Sequence, residues 1–340
     1  MTVPIKMGRP EIQIQNLHPT PAELAAEVLA GLRRRPRVIP PKFFYDARGS
    51  QLFDAITQTP EYYPTRTEIA ILQAHAADIA ARVGTGSVLV EPGSGSCMKV
   101  RLLLEGLRPC AYVPMDISHD HLRVAAEQVA AEFPWLEVHA ACTDFTRQMV
   151  VPDSAPEGPR VAFFPGSSIG NFDPDGAADF LAVVAELVGP GGLLLIGVDL
   201  KKASAVLDAA YDDGAGVTAA FNLNLLERIN RELGADFDLG AWRHRAFYNA
   251  DLGRVEMHLV STQDQGVQVC GERFDFTAGE TIHTENSYKY SVADFQAVAR
   301  RAGFLPKAVW TDPADLFSVH LLSVAAGPAL TAFGRPPDRP

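Results

Sequence analysis

The chain has 340 residues, 47% hydrophobic and 21% charged, an ordinary globular composition that excludes a disordered or collagen-like protein. Lys and Arg number 30 against 41 Asp and Glu, a net charge of −11, which argues against nucleic-acid binding because that needs a positive field. Cys97, Cys110, Cys142 and Cys270 form no C-x-x-C pair, no apolar run opens the chain, and the apolar stretch near 187–200 is broken by Gly189-Pro190-Gly191-Gly192. Neither a disulfide framework, a zinc site, a secretory signal nor a membrane span is expected, which leaves a soluble, cytoplasmic protein.

Thr20-Pro21-Ala22-Glu23 reads as a capping box, and Leu24, Val28 and Leu32 recur at four-residue spacing until Pro36. Two aromatic-rich strings follow, P-K-F-F-Y-D-A-R-G-S at 41–50 and P-E-Y-Y-P-T-R-T-E at 60–68. Thr65 and Glu68 suggest a second capping box ahead of Ile69, Leu72 and Ile79. Strand and helix then alternate. Strands are expected at 87–91, 111–116, 136–144, 160–165 and 193–199. Helices are expected from Cys97 to Leu107, after Ser118, and from Asp173 to Val188, where Gly189 ends the last. Such alternation implies a parallel sheet covered by helices on both faces. A long helical stretch over Ala203–Leu233 and several short strands break the pattern. Segments 304–310 and 316–324 flank Thr311-Asp312-Pro313 as a closing hairpin. A parallel sheet closed by a late antiparallel hairpin resembles the class I S-adenosylmethionine-dependent methyltransferases: an α/β, Rossmann-like sheet. The length favours a second unit beside it. The tail 331–340 reads as disordered.

The sharpest local signal is V-E-P-G-S-G-S-C at 90–97, between a strand and a helix. Gly93 and Gly95 let the backbone approach a ligand, and Met98 stands where a dinucleotide motif would have its third glycine. Glu91 suits a ligand with a cationic amino-acid end. Asp116, at the next strand end, can accept from both ribose hydroxyls. At the third strand end Asp144 could reach an adenine amino group, and Phe145 could cover the ring. Lys99 could pair with the cofactor carboxylate. His119, His121, His283 and His320 read as solvated or structural positions, and no metal is expected.

Taken together, the strings at 41–50 and 60–68, E-P-G-S-G-S, F-F-P-G-S-S-I-G-N-F (163–172), A-Y-D-D-G-A-G-V-T-A-A-F-N (210–222) and H-T-E-N-S-Y-K-Y-S (283–291) resemble the histidine Nα-methyltransferases of ergothioneine biosynthesis. The resemblance spans about 250 residues in the same order. It implies S-adenosylmethionine as co-substrate and L-histidine as the small-molecule substrate. The product would be the trimethylated amino acid hercynine. It places cofactor contacts at Gly93, Lys99, Asp116, Asp144 and Phe145. Histidine contacts fall at Tyr62, Asn171, Tyr211, Glu285, Asn286 and Ser287, and pocket positions at Tyr45 and Met257, with Asn171 and Tyr45 as catalytic candidates. Cys97 and Pro92 depart from the family pattern. The resemblance assigns 14–66 plus 202–289 to an α+β substrate-binding domain, and 67–201 plus 290–330 to the methyltransferase domain; a monomer is expected.

Glu285 and Ser287, two apart on an extended segment, project to one side and could bind the two imidazole nitrogens. Tyr62 and Tyr211 could donate to the substrate carboxylate, and Asn171 could cradle the neutral amine. The alternatives are N-methylation of another aromatic amino acid of tryptophan type, a nicotinamide-dependent oxidoreductase, and a non-catalytic S-adenosylmethionine-binding protein.

Overall fold

The computed structural model describes residues 12–17, 21–147 and 149–325. Thr20, of the first expected capping box, and the tail 331–340 lie outside them. In chain order the strands are β1 (Gln13–Leu17), β2 (Arg37–Val38), β3 (Val88–Pro92), β4 (Ala111–Asp116), β5 (Glu137–Thr143), β6 (Arg160–Phe164), β7 (Leu193–Asp199), β8 (Trp242–Asn249), β9 (Arg254–Ser261), β10 (Gln265–Val269), β11 (Glu272–Phe276), β12 (Thr281–Tyr288), β13 (Phe304–Thr311) and β14 (Phe317–Val324). The α-helices are α1 (Pro21–Arg33), α2 (Ala47–Ile56), α3 (Tyr63–Val83), α4 (Arg101–Leu107), α5 (His119–Glu132), α6 (Pro174–Val188), α7 (Ser204–Tyr211), α8 (Val217–Leu233) and α9 (Val292–Arg301).

Eight strands form one sheet in the order β1-β5-β4-β3-β6-β7-β14-β13. β1, β5, β4, β3, β6 and β7 run parallel, and the β13–β14 hairpin closes the sheet antiparallel beside β7. This is the expected class I methyltransferase build. β3 is buried along its whole length and β4 nearly so, because helices cover both faces of a parallel sheet and no polar alternation is required. The strand order reverses between β3 and β6. Crevices at such a switch point, beyond the carboxyl ends of the strands, are where open α/β sheets bind ligands.

A second sheet, β2-β12-β9-β8, packs with α1, α2, α7 and α8. Their apolar side chains form a separate core that includes Phe44, Leu225, Leu259 and Ile282. No helix among the described residues is long and apolar enough to cross a membrane.

Several expectations differ in detail. Residues 13–17, expected with the second unit from 14 onward, pair in parallel with β5 and extend the large sheet. The helix expected from Cys97 starts at Arg101, since Cys97 holds a left-handed φ of 52° and the ligand turn runs on through Val100. The stretch Ala203–Leu233 is two helices. Asp213 folds back to accept from the backbone N–H groups of Val217 and Thr218, and so starts a new helix after Gly216. The Thr65/Glu68 capping box does not form. α3 begins at Tyr63 with proline in its first turn, and Glu68, fully buried, is drawn to Lys99 instead. Ser118 precedes α5 without a side-chain cap; its backbone N–H is held by Asp116.

Candidate active site

A cavity of about 420 Å³ lies beyond the carboxyl ends of β3, β4, β5 and β6. Its walls include Gly93, Gly95, Lys99, Asp116, Asp144 and Phe145, so the five expected cofactor positions converge there. Gly93 has a φ of 67°, and a Cβ on it would stand 3.3 Å from the Phe145 ring. A side chain at 93 would therefore crowd the space under that ring, where a flat group could lie. Asp116 accepts from the Gly95 N–H and the Ser118 N–H, both at 2.9 Å. These bonds lock the carboxylate at the rim, although burial pushes its pKa up. Glu91 is buried under the turn beside Tyr112, and burial pushes its carboxyl up to about 8.

Two of these side chains have protein partners that the sequence did not show. Lys99 pairs with Glu68 at 2.5 Å, and Glu68 also accepts from the Gly166 N–H. Asp144 pairs with Lys42 at 2.7 Å, while its other oxygen accepts from Thr146. Lys42 also reaches Glu27 at 2.9 Å, and Glu27, Lys42 and Asp144 all line the cavity. His121, read as solvated, lines this cavity 3.9 Å from Asp54.

A smaller cavity of about 50 Å³ adjoins the first. Tyr45, Phe53, Tyr62, Gly166, Ser168 and Asn171 line both, and Tyr211, Met257, Glu285 and Ser287 line only the smaller one. Asn171 stands at the junction because of the local chain path. After β6, Gly166 and Ser167 take left-handed φ values of 83° and 57°, and a single 3-10 turn, Ser168–Asn171, follows. A Cβ on Gly170 would meet the Tyr288 carbonyl at 2.7 Å. Only glycine lets this turn seat so closely on β12.

Glu285 and Ser287 face the smaller cavity from one side of β12, as their spacing predicts. Asn286, between them, lines neither cavity; it turns to the opposite face, toward His283. Burial pushes the Glu285 carboxyl up to about 7, against the pull of the Lys289 ammonium. Burial also pushes the hydroxyls of Tyr45, Tyr62 and Tyr211 well above their ordinary value. Such a shift keeps the hydroxyls protonated, able to donate a hydrogen bond and poorly suited to act as bases. The Tyr211 hydroxyl is already engaged by Ser287 at 2.7 Å and Lys289 at 2.9 Å, which leaves Tyr62 as the better placed of the two for a substrate carboxylate.

On the far face of the second sheet, Glu256, His258 and His283 bring ligand atoms within 4.8 Å of one another. The two imidazoles are stacked, with centroids 4.5 Å apart and planes 18° apart. Their in-plane lone pairs cannot meet at one ion. Glu256 is moreover held by Arg254 and Asn249, and this set lies away from both cavities.

Comparison with known proteins agrees with this geometry. Residues 24–324 match the family model described as histidine-specific methyltransferase, SAM-dependent. The chain is 45% identical over 305 residues to the histidine N-alpha-methyltransferase of Mycolicibacterium smegmatis, covering 88% of this chain and 94% of that protein. It is 42% identical to the histidine N-alpha-methyltransferase of Mycobacterium tuberculosis over the same shares of each chain. Against ergothioneine biosynthesis protein 1 of Neurospora crassa it is 34% identical over 300 residues, 85% of this chain and 33% of that longer protein. The chain belongs to the S-adenosylmethionine-dependent, histidine-specific methyltransferases.

Proposed function

We propose that this chain transfers three methyl groups in succession from S-adenosylmethionine to the α-amino nitrogen of L-histidine, giving hercynine, a step of ergothioneine biosynthesis. The observation that carries this reading is the smaller cavity, where Glu285 and Ser287 share a wall and Asn171 marks the opening onto the larger one. The larger cavity suits the donor: Asp116 stands where ribose hydroxyls would lie, Phe145 and Gly93 frame a slot for the base, and Glu91 lies under the turn. Because Asp144 and Lys99 are each already paired, their contacts to the donor come by sharing or exchanging those partners.

The donor brings a methyl group on a cationic sulfur. The protein's part is to hold nitrogen, methyl and sulfur in line, and orientation of this kind can supply about 7–11 kcal/mol. Asn171 is uncharged and presents an amide at the junction. It can orient the amine lone pair without the carboxylate that would favour the ammonium. Tyr62 and Tyr45, protonated and shared by both cavities, are donors for the substrate carboxylate and for the region where the reacting groups meet. Met257 packs against the side-chain pocket. The proposed enzyme acts as a cytoplasmic monomer on a free amino acid. No step in it calls for a metal.

Purified protein incubated with S-adenosylmethionine and each of the twenty amino acids tests the reading. Mass spectrometry should show mono-, di- and trimethylated histidine with the highest turnover. Best turnover with tryptophan would replace histidine by the indole alternative, and no product from any amino acid would reject it.

A further inference from the structure

Behind the wall of the smaller cavity, and outside its lining, the side chain of Lys289 is fully buried. An ammonium has three N–H donors and no acceptor. Ser287 Oγ at 2.8 Å and Tyr211 Oη at 2.9 Å accept from it, and Asp199 Oδ2 stands 2.8 Å away as its ion-pair partner. The two hydroxyls also bond to each other at 2.7 Å. A buried cation needs a paired anion and a full set of acceptors to be tolerated. Asp199 supplies the charge and is itself anchored by Tyr63 and Lys202.

This arrangement closes a proton count. Both hydroxyl oxygens accept from Lys289, one hydroxyl proton lies in the bond between them, and one is left over. Either hydroxyl can donate in that bond; the phenol is the stronger acid, and on that ground Tyr211 is taken as the donor to Ser287. Ser287 Oγ then has both lone pairs taken and can only donate. Glu285, on the same wall, can accept. We propose that Lys289 is a positioning residue for substrate choice: by fixing Ser287 as a donor beside the acceptor Glu285, it sets the smaller cavity to take a ring with one N–H and one bare nitrogen, a neutral imidazole in a single tautomer. The proposal rests on the histidine reading above. A pyrrole, indole or benzene ring has no bare nitrogen and leaves the Ser287 O–H unpaired. An imidazolium turns an N–H against a donor.

The test compares L-histidine with pyrrolylalanine, in which a C–H replaces the bare nitrogen, in the wild type and in Lys289→Met. The wild type should favour histidine in kcat/KM by roughly 10- to 100-fold, the penalty for an unpaired buried hydroxyl. Lys289→Met releases a lone pair on Ser287 Oγ and the Asp199 carboxylate as an acceptor, so the hydroxyl protons can turn away from the ring, and the preference should fall below about 3-fold, mainly through KM, when that penalty is relieved. Calorimetry with S-adenosylhomocysteine should give an unchanged affinity, which reports an intact fold. An unchanged preference in a folded Lys289→Met overturns the proposal. Should that variant not fold, wild-type protein with 15N-labelled histidine and S-adenosylhomocysteine decides the matter by NMR. One protonated and one bare ring nitrogen in a single tautomer is expected, and an imidazolium or a tautomer mixture overturns it. Wild-type protein that methylates no histidine would reject the histidine reading itself, a result distinct from normal histidine methylation with an unchanged preference.

Discussion

Replacing Glu285 isolates the contribution of one carboxylate to substrate choice. Its carboxyl is pushed up to about 7 by burial, less the effect of Lys289, so at pH 8 most of the free protein carries the charge. A hydrogen bond to a charged acceptor contributes about 1.5–3 kcal/mol and a neutral one about 0.5–1.5. Glu285→Gln keeps an acceptor and loses the charge, which amounts to about 1–1.5 kcal/mol, or a 5- to 12-fold rise in KM for histidine at pH 8. Glu285→Ala leaves a buried ring N–H unpaired, about 1–3 kcal/mol, or a rise of about 5- to 150-fold. In the wild type KM should climb as pH falls through about 7, because protonation removes the same charge, and the glutamine variant should lack that inflection. The sign for stability runs the other way. A carboxyl raised in the folded state favours folding below its ordinary value of 4.5, and that advantage is lost as pH rises to about 7. Without substrate, Glu285→Gln should therefore gain stability relative to the wild type between pH 5 and 8. Steady-state kinetics at saturating donor, with product masses as the readout, measures KM. A KM within twofold of wild type at pH 8 for both variants, or a matching fall in S-adenosylhomocysteine affinity, refutes the assignment.

Asn171→Ala should lower kcat by about 10²-fold through lost orientation while leaving donor affinity unchanged; normal turnover in a single-turnover assay would remove Asn171 from the chemistry. Glu91, raised to about 8 by burial, follows the same linkage as Glu285, so wild-type stability should decline from about pH 5 to 8. Chemical denaturation of Glu91→Gln should show a flatter profile over that window, and parallel profiles would contradict the assigned shift. A Cβ on Gly197 would stand 1.9 Å from Glu68 Oε1. Gly197→Ala should therefore drive Glu68 off Lys99 and lower stability by about 1–3 kcal/mol or more, and an unchanged denaturation midpoint would show that Glu68 moves aside freely.

The parts of this molecule that were legible in the sequence are those fixed by near neighbours. Buried parallel strands are apolar runs bounded by turn residues, so β4 falls on 111–116 and β7 on 193–199, as their runs predict. Glycine strings mark where backbone must bend, so the floor of the larger cavity was visible at Gly93 and Gly95. The charge network was not. Glu68 meets Lys99 across 31 residues and the Gly166 N–H across 98, and Lys289 meets Tyr211 across 78. Lysine and glutamate are mostly solvated, and no local pattern singles out the few that are buried in pairs. β12 separates the two kinds of inference most clearly. Family resemblance assigned Glu285, Asn286 and Ser287 alike to the substrate, whereas the two-residue period of a strand allows only alternate members to share a face. Glu285 and Ser287 line the smaller cavity and Asn286 does not. Similarity and strand geometry thus point apart at this position, where the Asn286 side chain turns toward His283 behind the strand.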